Sequence, residues 1–104
     1  MSQTDPFSDQ IVLEKRKVKK PLKYRVLLHN DNYTTMDFVI WILCSVFHKP
    51  VEVATQIMLS VHEKGVGECG IYVREIAETK VALVRTHAQA AGFPLKCTFE
   101  PVEI

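Results

Sequence analysis

The stretch Tyr24-Arg25-Val26-Leu27-Leu28-His29-Asn30-Asp31-Asn32-Tyr33-Thr34-Thr35-Met36-Asp37-Phe38-Val39 contains a change of hydrophobic period that decides the fold. Tyr24, Val26 and Leu28 alternate with Lys23, Arg25 and His29, the two-residue repeat of a strand with one buried face. From Met36 onward the apolar residues fall three and four apart, at Met36, Val39, Ile40, Leu43 and Phe47. That spacing predicts a helix to about Phe47. Between the two periods, His29-Asn30-Asp31-Asn32-Tyr33 is rich in side chains that hydrogen-bond their own backbone and so make turns. Thr34 is the expected N-cap, with Asp37 three residues later completing a box-like pair. A cluster of acceptor oxygens is thereby expected at the end of a strand, just ahead of a helix.

Working outward, Pro50 suits the first turn of a second helix, in which Ala54, Ile57, Met58 and Val61 follow helical spacing and Gly65 suits the stop. Met58, Val61 and His62 share one face of it. Cys69, Ile71 and Val73 alternate with Glu68, Gly70 and Tyr72 as a second strand, with the first set facing inward. A third helix is expected from about Glu75, burying Ala77, Val81, Val84, Ala88 and Ala91, and Gly92 ends it. Leu95, Cys97 and Phe99 alternate with Lys96, Thr98 and Glu100 as the last strand. The order β-α-α-β-α-β predicts an α+β domain in which helices cover one face of a small sheet. Upstream of Pro21 the character changes. Residues 1–20 hold one aromatic and five basic residues (Lys15, Arg16, Lys17, Lys19, Lys20) against three acidic ones. This reads as a flexible arm with too little apolar surface to offset the entropy of ordering it.

A chain of 104 residues fits one domain, and 47% hydrophobic with 24% charged residues excludes a disordered or collagen-like chain. A formal net charge of +1 gives no overall bias toward nucleic acid or anionic membrane. The longest apolar run, Phe38 to Cys44, falls far short of the roughly 20 residues that span a bilayer. Nothing at the N-terminus resembles a secretory signal, and three cysteines without CxxC spacing imply neither a disulfide framework nor a zinc site. A reducing cytosol is the expected compartment. The histidines His29, His48, His62 and His87 lie at no ligand spacing with a cysteine or carboxylate. No GxSxG, Gly-rich phosphate loop or HExxH occurs, so no enzyme is indicated. Composition and spacing alone stop at a small cytosolic α+β module.

The stretch Tyr24 to Val39 resembles the signature of the ClpS adaptor family, as do Ala54-Thr55-Gln56-Ile57-Met58-Leu59-Ser60-Val61-His62 and Glu75-Ile76-Ala77-Glu78-Thr79-Lys80-Val81-Ala82. The resemblance runs in order over residues 21–100. It implies a three-stranded antiparallel sheet packed by three helices, like the C-terminal domain of the ribosomal stalk protein, over residues 21–104. It further implies a cytoplasmic adaptor, without catalytic residues, cofactor or metal, for N-degrons beginning with Leu, Phe, Tyr or Trp. Such cargo is handed to a ClpA-like AAA+ unfoldase coupled to the ClpP peptidase. No nucleic acid and no membrane is among the implied partners. By family pattern, Asn30, Asp31 and His62 accept from the free α-amino group, and Thr34, Met36, Val39, Met58, Val61 and Leu95 form the hydrophobic pocket. Met36 corresponds to the gate that rejects β-branched Ile and Val by clash. Tyr33, Glu75 and Lys80 match positions that dock on the unfoldase N-domain, and residues 1–20 resemble, in length and expected flexibility alone, the extension engaged during delivery.

An imidazole accepting from an ammonium has to be neutral, so His62 in that role predicts weaker binding in mild acid. This chain departs from the common pattern at Asn32, where a second acidic residue is frequent, at Thr35, where proline is frequent, and at Trp41, a position often polar. Two alternatives follow from the residues: the same scaffold with an altered N-terminal preference, or a ribosome- or nucleic-acid-associated module using its basic arm.

Overall fold

Each change of period in the sequence becomes an element boundary. The computed structural model describes residues 22–102, in which β1 (Lys23–His29) is followed by α1 (Met36–Ser45), α2 (Val51–Lys64), β2 (Val66–Val73), α3 (Arg74–Ala91) and β3 (Lys96–Val102). The expected arm over residues 1–20, and with it the boundary at Pro21, lies outside the described residues. β1 is central in the order β2-β1-β3 and pairs antiparallel with both neighbours. The architecture is thus the α+β arrangement β-α-α-β-α-β. Val26 and Leu28 of β1 are completely buried and join Ile42 and Leu43 of α1, Ala54 and Val61 of α2, and Ala77 and Val84 of α3 in a single core. Burying each large aliphatic side chain contributes about 1.5–3 kcal/mol, so this shared core holds the helices on the sheet.

The helix ends follow local chemistry and correct the sequence reading in places. Thr35, not Thr34, caps α1: its backbone is extended and its hydroxyl accepts from the Phe38 N–H at 3.1 Å. The Thr34 hydroxyl instead donates to Asp31 Oδ2 at 2.7 Å. Phe47 is buried but lies past the end of α1, where the Val46 N–H donates to Ile42 O, the Lys49 N–H donates to Leu43 O, and His48 adopts a left-handed φ of 56°. Pro50 is the N-cap of α2 rather than part of its first turn. Gly65 stops α2 with φ 88°, a conformation that a Cβ would oppose. Met36 and Ala91, both assigned to buried stripes, are exposed at the ends of their helices.

The largest correction concerns β2. Val26 pairs with Gly70 while Leu27 pairs with Glu68, which leaves Cys69 as an extra residue without a partner of its own. Such a bulge shifts the two-residue alternation by one. Gly67 before the bulge and Cys69 within it are buried, Tyr72 packs on the core after it, and Ile71 and Val73 are turned outward at 47% and 40% exposure. The inward assignment of Ile71 and Val73 is therefore reversed.

Candidate functional site

The loop after β1, the start of α1 and the last turns of α2 enclose a cavity of about 250 Å³. Each element supplies a distinct chemistry because of its spacing. α1 presents Met36 and Val39, three residues apart, and α2 presents Met58, Val61 and His62 from one face. The loop contributes Asn30, Asp31, Asn32 and Thr34. Val39, Met58 and Val61 are buried and form the walls, whereas Met36 is 45% exposed. His62, Asn30 and Asn32 are exposed on the polar side.

Two sets of hydrogen bonds hold this loop. The Asn30 N–H donates to the Gly65 carbonyl at 3.0 Å, tying the loop to the end of the helix that carries His62. Asp31 Oδ1 accepts from the Tyr33 and Thr34 N–H groups at 2.8 and 2.7 Å, and its Oδ2 accepts from the Thr34 hydroxyl. Partial burial acts to raise the Asp31 pKa, but the donors from Thr34 and Tyr33 together outweigh it and hold the carboxyl below its ordinary value. The loop therefore carries a fixed negative charge. A carboxylate offers about four lone-pair sites, so the three internal donors leave acceptor capacity on Asp31.

The sheet supports the walls. A Cβ built on Gly67 would lie 2.6 Å from Val61 Cγ2 and 3.1 Å from the Ile57 carbonyl, so only glycine lets the start of β2 approach α2 this closely. Sequence reasoning missed Gly67, for which a strand glycine beside a helix-facing cysteine is the available signal. Asn32, expected in the acceptor-rich loop but not assigned a binding role, also lines the cavity.

Eight of the residues assigned to amino-group and side-chain recognition meet at this cavity: Asn30, Asp31, Thr34, Met36, Val39, Met58, Val61 and His62. Leu95 is not among its lining residues. It precedes β3, is 7% exposed, and lines a separate cavity with Val81, Arg85 and Cys97 between α3 and β3. The three expected docking residues differ in setting. Tyr33 is 76% exposed beside the cavity loop, and Glu75 lies in a groove with Leu22, Tyr24, Val73 and Arg74. Lys80 is committed internally: its Nζ donates to the Val46 carbonyl at 2.6 Å and lies 5.7 Å from the Tyr72 ring centroid. Trp41, 46% exposed, stacks on Phe38 and meets His87 edge-on, away from the buried stripe as its spacing predicts.

The cavity's chemistry is that of a receptor: lone pairs on one side and apolar walls on the other. Burial pushes the Cys97 thiol up to about 12, against the pull of Arg85, and pushes the more deeply buried Cys69 thiol up further. Among the described residues no group of three or more His, Cys, Asp and Glu side chains gathers to hold a metal, and no helix is long and apolar enough to cross a membrane.

Comparison with known proteins places this geometry. The profile of the family described as "ATP-dependent Clp protease adaptor protein ClpS" matches residues 19–98. A protein of Nitratidesulfovibrio vulgaris named ATP-dependent Clp protease adapter protein ClpS is 57% identical over 98 residues, covering 94% of this chain and 98% of that protein. A protein of the same name from Ralstonia nicotianae is 57% identical over 91 residues, covering 86% and 84%. The solved structure of Agrobacterium tumefaciens ClpS2 bound to L-phenylalaninamide superposes with a TM-score of 0.78 at 36% identity, covering 80% of this chain and all of that one. With the family profile spanning most of the chain and relatives this close over nearly their full length, this chain belongs to the ClpS family of Clp protease adaptors.

Proposed function

We propose that this chain is a non-catalytic cytoplasmic adaptor that grips proteins by a free N-terminus beginning with Leu, Phe, Tyr or Trp. It then delivers them to a ClpA-like AAA+ unfoldase working with the ClpP peptidase. One observation carries the reading: acceptors and apolar walls converge on a single cavity of about 250 Å³. An α-ammonium has three donors and a positive charge. Asn30, the ionised Asp31 and a neutral nitrogen of His62 supply acceptors and the opposite charge. The leading side chain enters between Met36, Val39, Met58 and Val61, with Thr34 at the edge. Burial of a Leu or Phe there contributes about 1.5–3 kcal/mol, too little alone to tell a chain start from an internal residue. The ammonium contacts supply that distinction, because an acetylated terminus lacks the charge and leaves the acceptors desolvated without partners.

The reading is supported by the relative from Agrobacterium tumefaciens, whose ligand L-phenylalaninamide joins a free amino group to an apolar side chain. Tyr33 and Glu75 are the exposed groups through which the unfoldase docks. Lys80 contributes by bracing α3 against the end of α1 through Val46. Fluorescence anisotropy tests the proposal: peptides starting with Leu or Phe bind, and their N-acetylated forms bind at least about a hundredfold more weakly. Equal binding of the acetylated peptide overturns it. Screening all twenty first residues separates this preference from the altered one suggested by Asn32 and Thr35.

A further inference from the structure

We propose that Met36 is a site of reversible oxidation through which hydrogen peroxide lowers the receptor's affinity for its cargo. The inference rests on reading the cavity as a receptor for an apolar leading side chain. Three observations single Met36 out. It lines the cavity while standing 45% exposed, so the residue borders both solvent and the cavity. Met58, the other thioether of that cavity, is 7% exposed and shielded by its neighbours. The thiols of buried Cys69 and half-buried Cys97 are held protonated, Cys97 with its pKa pushed up to about 12, and peroxide attacks thiolates rather than thiols.

The step balances simply. Met36 Sδ uses a lone pair to take one oxygen atom from hydrogen peroxide, the O–O bond breaks, and the second oxygen leaves as water. Sulfur is oxidised by two electrons and the peroxide reduced by two. The product carries a polar S–O group where the apolar walls meet solvent, and an entering Leu or Phe has to strip water from it. That penalty weakens binding by about tenfold or more. Methionine sulfoxide reductase with a thiol reductant removes the oxygen and restores the thioether, which makes the change a switch rather than damage.

The test uses the full chain, hydrogen peroxide as oxidant and a fluorescent peptide beginning with Leu. Peptide mass spectrometry follows oxygen uptake at Met36 while anisotropy follows affinity, before oxidation, after it, and after reductase treatment. The expected result is that affinity falls in step with conversion of Met36 and returns on reduction. A Met36→Leu variant, compared only with itself, keeps whatever affinity it starts with through the same treatment. The proposal is overturned if peroxide leaves Met36 unmodified, if full conversion leaves affinity unchanged, or if Met36→Leu loses affinity to the same extent. Failure of the untreated protein to bind the Leu peptide rejects the adaptor reading itself, and is seen before any oxidant is added.

Discussion

Asp31 does two things with one carboxylate. Its oxygens accept from the Tyr33 and Thr34 N–H groups and the Thr34 hydroxyl, which shapes the loop, and its charge stays at the mouth of the cavity. Because those donors hold its pKa below the ordinary 3.8, the folded state favours the ionised form. The sign follows: the contribution is fully present above 3.8 and is lost as pH falls through the lower, folded value. Hydrogen exchange of the Tyr33 and Thr34 amides is therefore expected to quicken on acidification below that point, beyond the intrinsic trend. In Asp31→Asn this extra acid dependence disappears, and its persistence in that variant would assign the effect elsewhere. The same residue shows what sequence reading reaches. The polar loop and its acceptors were legible as residue types, but which threonine caps the helix was not. Thr34 and Thr35 are equivalent by propensity; in the fold the Thr35 hydroxyl accepts from the Phe38 N–H while the Thr34 hydroxyl donates to Asp31.

At the scale of elements, all six were legible because each buries one face and so carries its period openly. The bulge in β2 was not. A single unpaired Cys69 leaves both halves of the strand with sound alternation, and the slip appears only in the pairing with β1. The consequence is measurable in chemical denaturation. Ile71→Thr, on the outward side, is expected to change stability by less than about 0.5 kcal/mol. Cys69→Ser, which buries a hydroxyl in a position 1% exposed, is expected to cost about 1–3 kcal/mol. The reverse order of effects would restore the uninterrupted strand. Leu95 illustrates a related limit. Its inward phase was legible, but whether it faces the α1–α2 cavity or the one beside α3 depends on how the helices divide a shared core.

For the whole molecule, the cavity and the core share residues, since Val39, Met58 and Val61 belong to both. A ligand that seats there stabilises the entire domain by mass action, about 2.7 kcal/mol at a hundredfold excess over Kd. In a domain of this size that raises the Tm by about 10 °C or more. A peptide beginning with Leu is expected to produce that rise in a thermal melt and its acetylated form to leave the Tm in place; matching rises would mean the terminus is not being read. Family membership was legible here because the matching stretches run in order along the chain. The closeness of β2 to α2 was not, because Gly67 acts by what it lacks.

The bond from the Asn30 N–H to the Gly65 carbonyl works as a pin between two jaws: one jaw holds the loop's oxygens, and the other holds the imidazole three residues before the pin. On the proposed reading, this bond sets the loop against the helix before a ligand arrives, so little binding free energy is spent ordering them. A side chain at Gly65, forced against its φ of 88°, would on that same reading strain this bond and weaken binding from outside the cavity lining.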